Sequence, residues 1–107
     1  MALTHDPKET LRARARREPA FRTALLAEAI TAMLEGDGQT AKALLRDYVV
    51  ATIGFAELEI ATQIPEKSLM RMLSSKGNPR MVNIVDIITA LQKKEGVQFE
   101  LGLKRAS

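Results

Sequence analysis

The chain contains no cysteine and a single histidine, His5. Without cysteine it can form neither a disulfide nor a thiolate metal site, and one histidine cannot hold a zinc or iron ion unaided. No apolar run approaches the roughly 20 residues that a transmembrane helix requires, and the N-terminus lacks the apolar stretch of a secretory signal. We therefore expect a soluble, cytoplasmic protein with no metal, no cofactor and no membrane association.

The sequence also lacks the residue sets that most catalytic sites need. Carboxylates occur close together, as in Glu57 and Glu59, but no nucleophile and base can be assembled with a histidine or cysteine. No glycine-rich loop is present that could hold a phosphate. We expect the protein not to be an enzyme, with Asp47 serving as a surface partner for nearby arginines.

What the sequence does contain is typical of one small helical domain. The length of 107 residues and the hydrophobic fraction of 46% fit a single domain with a modest core. Ala, Leu, Glu, Lys and Arg dominate, whereas Gly and Pro are few, which favours helices over strands. We predict an all-α fold with N-terminal helices over residues 6–53, a helical core over 54–94 and a C-terminal segment over 97–103.

The first predicted helix begins at Pro7, with Asp6 as its cap, and ends before Pro19; Met1–Thr4 is expected to be a loose tail. Its apolar content is low, and its arginines point to more than one face: Arg12, Arg14, Arg16 and Arg17. One interpretation is a solvated arm that packs poorly, and the other is a surface for an acidic partner or for the DNA backbone.

Two amphipathic helices are predicted next. The second helix begins at Pro19 and ends around Glu35–Gly38, and the third spans residues 39–53. The second presents a broad apolar face, made of Phe21, Leu25, Leu26, Ala29, Ile30, Met33 and Leu34. The third presents a stripe made of Ala41, Leu44, Leu45, Tyr48, Val49 and Ile53. We expect these faces to form much of the core.

Residues 54–91 predict a helix-turn-helix unit. A short helix from Phe55 to Thr62, a turn at Gln63 and Ile64, and a second helix from Glu66 to Ser74 are followed by a polar loop and a helix from Met81 to Lys94. The predicted core of the two short helices is Leu58, Ala61, Ile64, Leu69, Met72 and Leu73. The last helix is expected to contribute Ile84, Val85, Ile87, Ile88 and Leu91.

Charge in this unit is concentrated after the turn. The whole chain has a formal net charge of +3, and the window from Pro65 to Arg80 alone has four cations against the single anion Glu66. In a helix-turn-helix the second helix enters the major groove of DNA, with polar side chains reaching base edges and flanking groups holding phosphates. The candidate DNA-binding residues are Glu66, Lys67, Ser68, Met70, Arg71, Lys76, Asn78 and Arg80, and Arg71 is suited to a bidentate contact with guanine.

Only the segment after Gly96 alternates as a strand does, with Val97, Phe99 and Leu101 separated by Gln98 and Glu100. A solitary strand leaves its backbone groups unpaired. The segment 97–103 therefore either pairs with the same segment of a second chain, which we favour, or is a disordered or helical tail.

The stretch from Gly54 to Pro79 resembles the DNA-binding unit of the Cro/lambda-repressor (Xre) class, in which a glycine and an Asn-Pro pair follow the recognition helix as Gly77, Asn78 and Pro79 do. Residues 19–103 as a whole resemble the small antidote proteins of bacterial type II addiction modules, usually encoded beside a RelE/ParE-like toxin. The most specific part of this resemblance is Ile64–Pro79.

The resemblance implies a homodimeric antitoxin that binds operator DNA, represses its own operon and neutralises a RelE/ParE-like toxin. Three positions depart from the Xre pattern, which usually has glutamine at Phe55, a small residue at Glu59 and glycine at Gln63. Phe55 cannot make the phosphate contact of a glutamine, Glu59 must bend out to solvent, and Gln63 must adopt a left-handed conformation unless the turn differs. Two alternatives remain open: a free-standing phage-type repressor, and a toxin-binding module that does not read DNA.

Overall fold

The computed structural model describes residues 7–106, and most of them lie in six α-helices. The helices are α1 (Pro7–Arg17), α2 (Pro19–Leu34), α3 (Gly38–Ala51), α4 (Phe55–Thr62), α5 (Glu66–Met72) and α6 (Met81–Glu95). Across these residues there is no β-strand, and no helix has the length and apolar character needed to cross a membrane. The predicted all-α fold is confirmed, and the observed helix ends lie within one or two residues of the predicted ones.

Local signals explain several helix ends. Pro19 is the first residue of α2, where its missing N–H leaves no hydrogen bond unmade. Gly36 ends α2 and Gly96 ends α6 with φ angles of +82° and +76°, a left-handed conformation that glycine adopts without steric strain. Asp6, the predicted cap of α1, and the predicted tail Met1–Thr4 lie outside the described residues.

The start of α3 has a side-chain cap. The Asp37 carboxylate accepts the backbone N–H of Thr40 at 3.1 Å, so one of the free N–H groups of the first turn is satisfied. The hydrogen bond to Thr40 lowers the pKa of Asp37, because it stabilises the ionised carboxylate.

A single cluster of buried side chains connects all six helices. Each helix contributes at least one member, including Ala15, Leu26, Leu45, Leu58, Leu69 and Ile87. Tyr48 and Val49 of α3 lie at 1% and 0% exposure, so α3 is buried between the N-terminal helices and the α4–α6 unit. The predicted apolar faces of α2 and α3 are confirmed in most positions.

Three predicted core residues are exposed. Leu34 is 67% exposed because it lies nine residues after Leu25, about 180° around α2 from it. Val85 is 53% exposed because it lies about 160° around α6 from the buried Ile87. Ala61 lines an open groove between α4 and α6 and is also exposed. In each case the apolar stripe is narrower than predicted.

Helix α1 packs against the other N-terminal helices, which contradicts the interpretation of a poorly packed arm. Ala15 is fully buried, and Leu11 packs against the core. Arg12 donates from Nε and Nη2 to Asp47 Oδ1 at 3.2 and 2.9 Å. The predicted pairing of Asp47 with an arginine is therefore confirmed. Its predicted surface position is wrong, because Asp47 is only 7% exposed.

Glu95 at the end of α6 joins four helices. Arg22 Nε of α2 donates to both Glu95 oxygens at 3.0 and 2.9 Å, and the Tyr48 hydroxyl of α3 donates to Glu95 Oε1. Arg22 Nη1 also donates to the carbonyl oxygens of Ala15 and Arg16 near the end of α1, at 3.1 and 3.3 Å. We call the set of Arg22, Tyr48 and Glu95 the Glu95 junction. Burial, followed by the hydrogen bond to Glu95, raises the pKa of Tyr48 well above its ordinary value.

Tyr48 is the only tyrosine, so tyrosinate absorbance reports this side chain alone. We expect no tyrosinate signal near pH 10, where an exposed tyrosine ionises, until the chain unfolds. Because the folded pKa is raised above the unfolded one, the stabilisation from neutral Tyr48 is complete below about pH 10 and is lost as the pH rises above it. Absorbance and circular dichroism titrated together should therefore change together.

The matched control is Tyr48→Phe, which removes the ionising group and its share of the alkaline destabilisation. A tyrosinate midpoint near pH 10 with unchanged circular dichroism would show that Tyr48 is accessible to solvent. It would contradict the buried hydrogen bond between Tyr48 and Glu95.

Candidate nucleic-acid interface

The turn between α4 and α5 is short and internally hydrogen-bonded. Gln63 has φ +64°, the only positive φ of a non-glycine residue in the described part of the chain, and its N–H donates to Glu59 O at 2.7 Å. Its side-chain amide donates to Ile60 O at 3.1 Å. Thr62 Oγ1 accepts the N–H of Ile64 at 3.2 Å. The left-handed conformation predicted for Gln63 is confirmed, and the turn closes without glycine.

Glu59 links the two short helices directly. Its side chain is exposed, as predicted, but Oε1 also accepts the backbone N–H of Glu66 at 2.9 Å. Glu66 begins α5, whose first N–H groups have no partner within the helix. A carboxylate from α4 thus caps α5, and a negative charge at a helix N-terminus is favourable.

Helix α5 buries one face and exposes another. Leu69 is fully buried, and so is Leu73 just after the helix, while Met72 packs against the core. The opposite face has Lys67, Met70 and Arg71, all exposed, with Met70 at 45%. Glu66 and Ser68 are half-buried. The predicted outward face of α5 is thus present, and Lys67 and Arg71 lie one helical turn apart on it.

The remaining predicted contacts follow α5 on the loop to α6. Lys76, Asn78 and Arg80 are exposed there. No side chain caps the N-terminus of α6. Among residues 10–106, whose side chains the structure describes, no hydrogen bond or ion pair engages the charged ends of the four cations of this segment, Lys67, Arg71, Lys76 and Arg80. All four are therefore available to an anionic partner.

Three side chains of α3, which the sequence analysis did not single out, hold this loop. Lys42 Nζ donates to Gly77 O at 2.6 Å and to Ser75 O at 3.2 Å. Gln39 Nε2 donates to Ser75 O at 3.0 Å, and Arg46 Nη1 donates to Leu73 O at 2.9 Å. We call Gln39, Lys42 and Arg46 the α3 clamp. Their spacing of three and four residues, beside the apolar stripe of α3, is the signal by which they could have been found.

The clamp binds the carbonyl of Leu73, which is the C-cap of α5, and the carbonyls of Ser75 and Gly77 in the loop that follows. The last carbonyls of a helix have no partner within it and carry a partial negative charge, so cationic donors there are favourable. The loop also passes very close to α5: a Cβ atom at Gly77 would lie 2.2 Å from Arg71 O and 2.4 Å from Met72 O. Gly77 is therefore required for this approach, and the loop is fixed from both sides.

Two observations bear on other kinds of site. Phe55, where the Xre pattern has glutamine, is 9% exposed and belongs to the core, so it faces no phosphate. Among residues 7–106, no three Asp, Glu or His side chains come together in a way that could hold a metal ion.

Comparison with known proteins identified no relative: no family model, no curated protein and no solved structure matches the chain.

We expect Gly77→Ala to lower the free energy of unfolding by about 1–3 kcal/mol, because the added methyl group overlaps backbone carbonyls that cannot move independently. The control is Gly38→Ala, where a Cβ meets no atom within 4 Å in the first turn of α3. Urea unfolding followed by circular dichroism measures both. Equal stabilities for the two variants would contradict the close approach.

Lys42→Ala should expose the Ser75 and Gly77 carbonyls and cost about 1–3 kcal/mol, since a charged donor is lost. Hydrogen exchange should rise over residues 73–77. Lys67→Ala, which removes an exposed lysine from α5, should stay within about 0.5 kcal/mol of the parent. If the two alanine variants unfold at the same urea concentration, the α3 clamp does not stabilise the loop.

Proposed function

We propose that this chain is a sequence-specific DNA-binding antitoxin that represses its own operon and neutralises a RelE/ParE-like toxin. Helices α4 and α5 are its lambda-repressor-like helix-turn-helix, and α5 enters the major groove. The observation that carries the proposal is the exposed, cationic face of α5, which includes Lys67 and Arg71. The buried Leu69 and Leu73 anchor the other side of this segment in the core.

The side chains of this face match the chemistry of the major groove. Arg71 can donate two hydrogen bonds to the O6 and N7 atoms of guanine, and the exposed Met70 can contact a thymine methyl group. Lys67 and Ser68 lie in the first turn of α5, the end of a recognition helix that reaches base edges. Glu66 can accept from a cytosine amino group, although its N–H is engaged by Glu59.

The loop after α5 supplies the phosphate contacts. Lys76 and Arg80 provide charge, Asn78 provides an amide, and the N-terminus of α6 has no capping side chain. Backbone N–H groups at a helix N-terminus attract phosphate oxygens. Because the α3 clamp fixes this loop relative to α5, base and phosphate contacts are presented together, as a defined register on DNA requires.

In this proposal the protein works as a cytoplasmic homodimer on a palindromic operator with half-sites about one turn of DNA, roughly 34 Å, apart. Residues 97–103 have no regular secondary structure in the single chain. One route to the homodimer is pairing of these segments as strands between two copies.

The buried Phe55 favours a second candidate, because a phosphate contact of the Xre pattern is missing. In that case the chain is a toxin-binding module that does not read DNA. A free-standing phage-type repressor shares the DNA contacts of the first proposal and differs from it only in having no toxin.

The first test is a fluorescence-anisotropy titration of the protein onto its own promoter and a scrambled fragment, at low and physiological salt. We expect a preference of at least about a thousandfold for the promoter. Arg71→Ala should reduce this preference by about 1–3 kcal/mol. Lys76→Ala should instead weaken binding to both fragments equally, and it should lower the slope of log affinity against log salt concentration by about one.

Arg17→Ala, which removes an exposed arginine from α1, is the matched control and should leave the preference unchanged. Equal, weak binding of the parent to both fragments would contradict the DNA-reading proposal. Retained toxin capture by the parent and by Arg71→Ala would then establish the binding module.

A further inference from the structure

A groove of about 500 Å³ runs between α4 and α6, on residues that the proposed DNA contacts do not use. Its apolar lining includes Ile53, Ile60, Ala61 and Ala90. Ile60 among them is 68% exposed. The groove thus offers apolar surface without a cover.

The same chain has an uncovered apolar segment. Leu101 and Leu103, near the C-terminus, are 77% and 99% exposed. They alternate with Glu100 and Gly102 and are followed by Lys104 and Arg105. In an extended segment, Leu101 and Leu103 point to the same side.

Along α6 and along this segment, a negative charge is followed by a pair of positive charges, and Glu57 of α4 adds a second carboxylate to the groove. Along α6, Lys93 and Lys94 lie at one end of the groove and Asp86 lies about 10–12 Å away, at 1.5 Å per residue. Along the extended segment, Glu100 and the pair Lys104 and Arg105 are about 13–17 Å apart. Glu100 can therefore meet the lysines while the two cations reach Asp86, and the leucines between them cover the apolar lining.

The segment that follows α6 in the same chain is held on the Gln92 side of that helix. Phe99 packs against the core, and its N–H donates to Gln92 Oε1 at 2.8 Å. Gln92 lies about 160° around α6 from Ala90, which lines the groove. In the single chain Leu101 and Leu103 remain exposed and do not occupy the groove, so we take the occupant from a second copy.

We propose that the α4/α6 groove binds residues 100–105 of a second copy of this chain. Each copy then gives one tail and receives one, so the contact is reciprocal and closes as a two-fold dimer. This inference rests on the homodimer of the proposed function, but it is independent of DNA reading.

Engineered cysteines test the contact in the 107-residue chain, which has none of its own. An Ala61→Cys variant lengthened by an affinity tag is mixed with an untagged Leu103→Cys variant and oxidised gently, so that the mixed disulfide has its own mass on a gel. We expect this mixed product to be the main one. With Leu34→Cys, an exposed position on α2, in place of Ala61→Cys, it should be at least about tenfold less abundant.

A mixed product no more abundant than in the Leu34→Cys control would overturn the proposal. So would a predominance of disulfides between two Leu103→Cys chains, since the tails would then pair with each other as strands. The DNA titration uses the parent chain and is a separate measurement. If the parent shows no preference for its promoter while the mixed disulfide still forms, only the DNA-reading proposal is contradicted.

Sedimentation equilibrium without DNA gives a second, non-covalent test. Leu101→Asp combined with Leu103→Asp should raise the dimer dissociation constant at least about tenfold, because two apolar side chains can no longer be buried. Leu34→Asp should leave it unchanged. Both substitutions fall on exposed side chains, so the fold is retained, and a dissociation constant that does not respond to the tail variant contradicts the docking.

Discussion

The fold depends on the position of α3, which lies between α1 and α2 on one side and α4–α6 on the other. At one end Tyr48 meets Glu95 and thereby the end of α6. At the other end Gln39, Lys42 and Arg46 hold the loop that follows α5. Apolar packing is not directional, whereas hydrogen bonds are, so these two polar contacts fix how the α4–α6 unit sits on α1 and α2.

This arrangement explains how so short a helix as α5 can be ordered. A seven-residue helix is unstable by itself in water, because nucleation fixes several residues before many hydrogen bonds form. Here Glu59 satisfies its first turn, Arg46 satisfies a carbonyl at its end, and Leu69 anchors its centre. The exposed face of α5 is consequently held by contacts that all lie on other sides of the helix.

The sequence predicted the helices well because their ends have local causes. Pro19 and Gly96 act through their own backbone geometry, and the apolar spacing of α2 and α3 follows from the helical period. The exposed cationic face of α5 was predicted for the same reason. By contrast, the burial of Asp47 depends on α1 folding back over α3, and the α3 clamp depends on contacts that span 27 to 36 residues of sequence. Neither depends on a neighbour in the chain, so helical periodicity alone could not reveal them.

The left-handed residue at the end of α4 bears on which sequences can adopt this turn. A left-handed conformation costs a non-glycine residue about 1–2 kcal/mol, but the Gln63 amide returns a hydrogen bond to Ile60 O. A side chain that donates a hydrogen bond to that carbonyl therefore offsets part of the conformational free energy that the left-handed residue costs, a cost that glycine does not have. The backbone shape of such a turn is therefore compatible with a residue other than glycine, and the absence of glycine from a sequence does not exclude the turn.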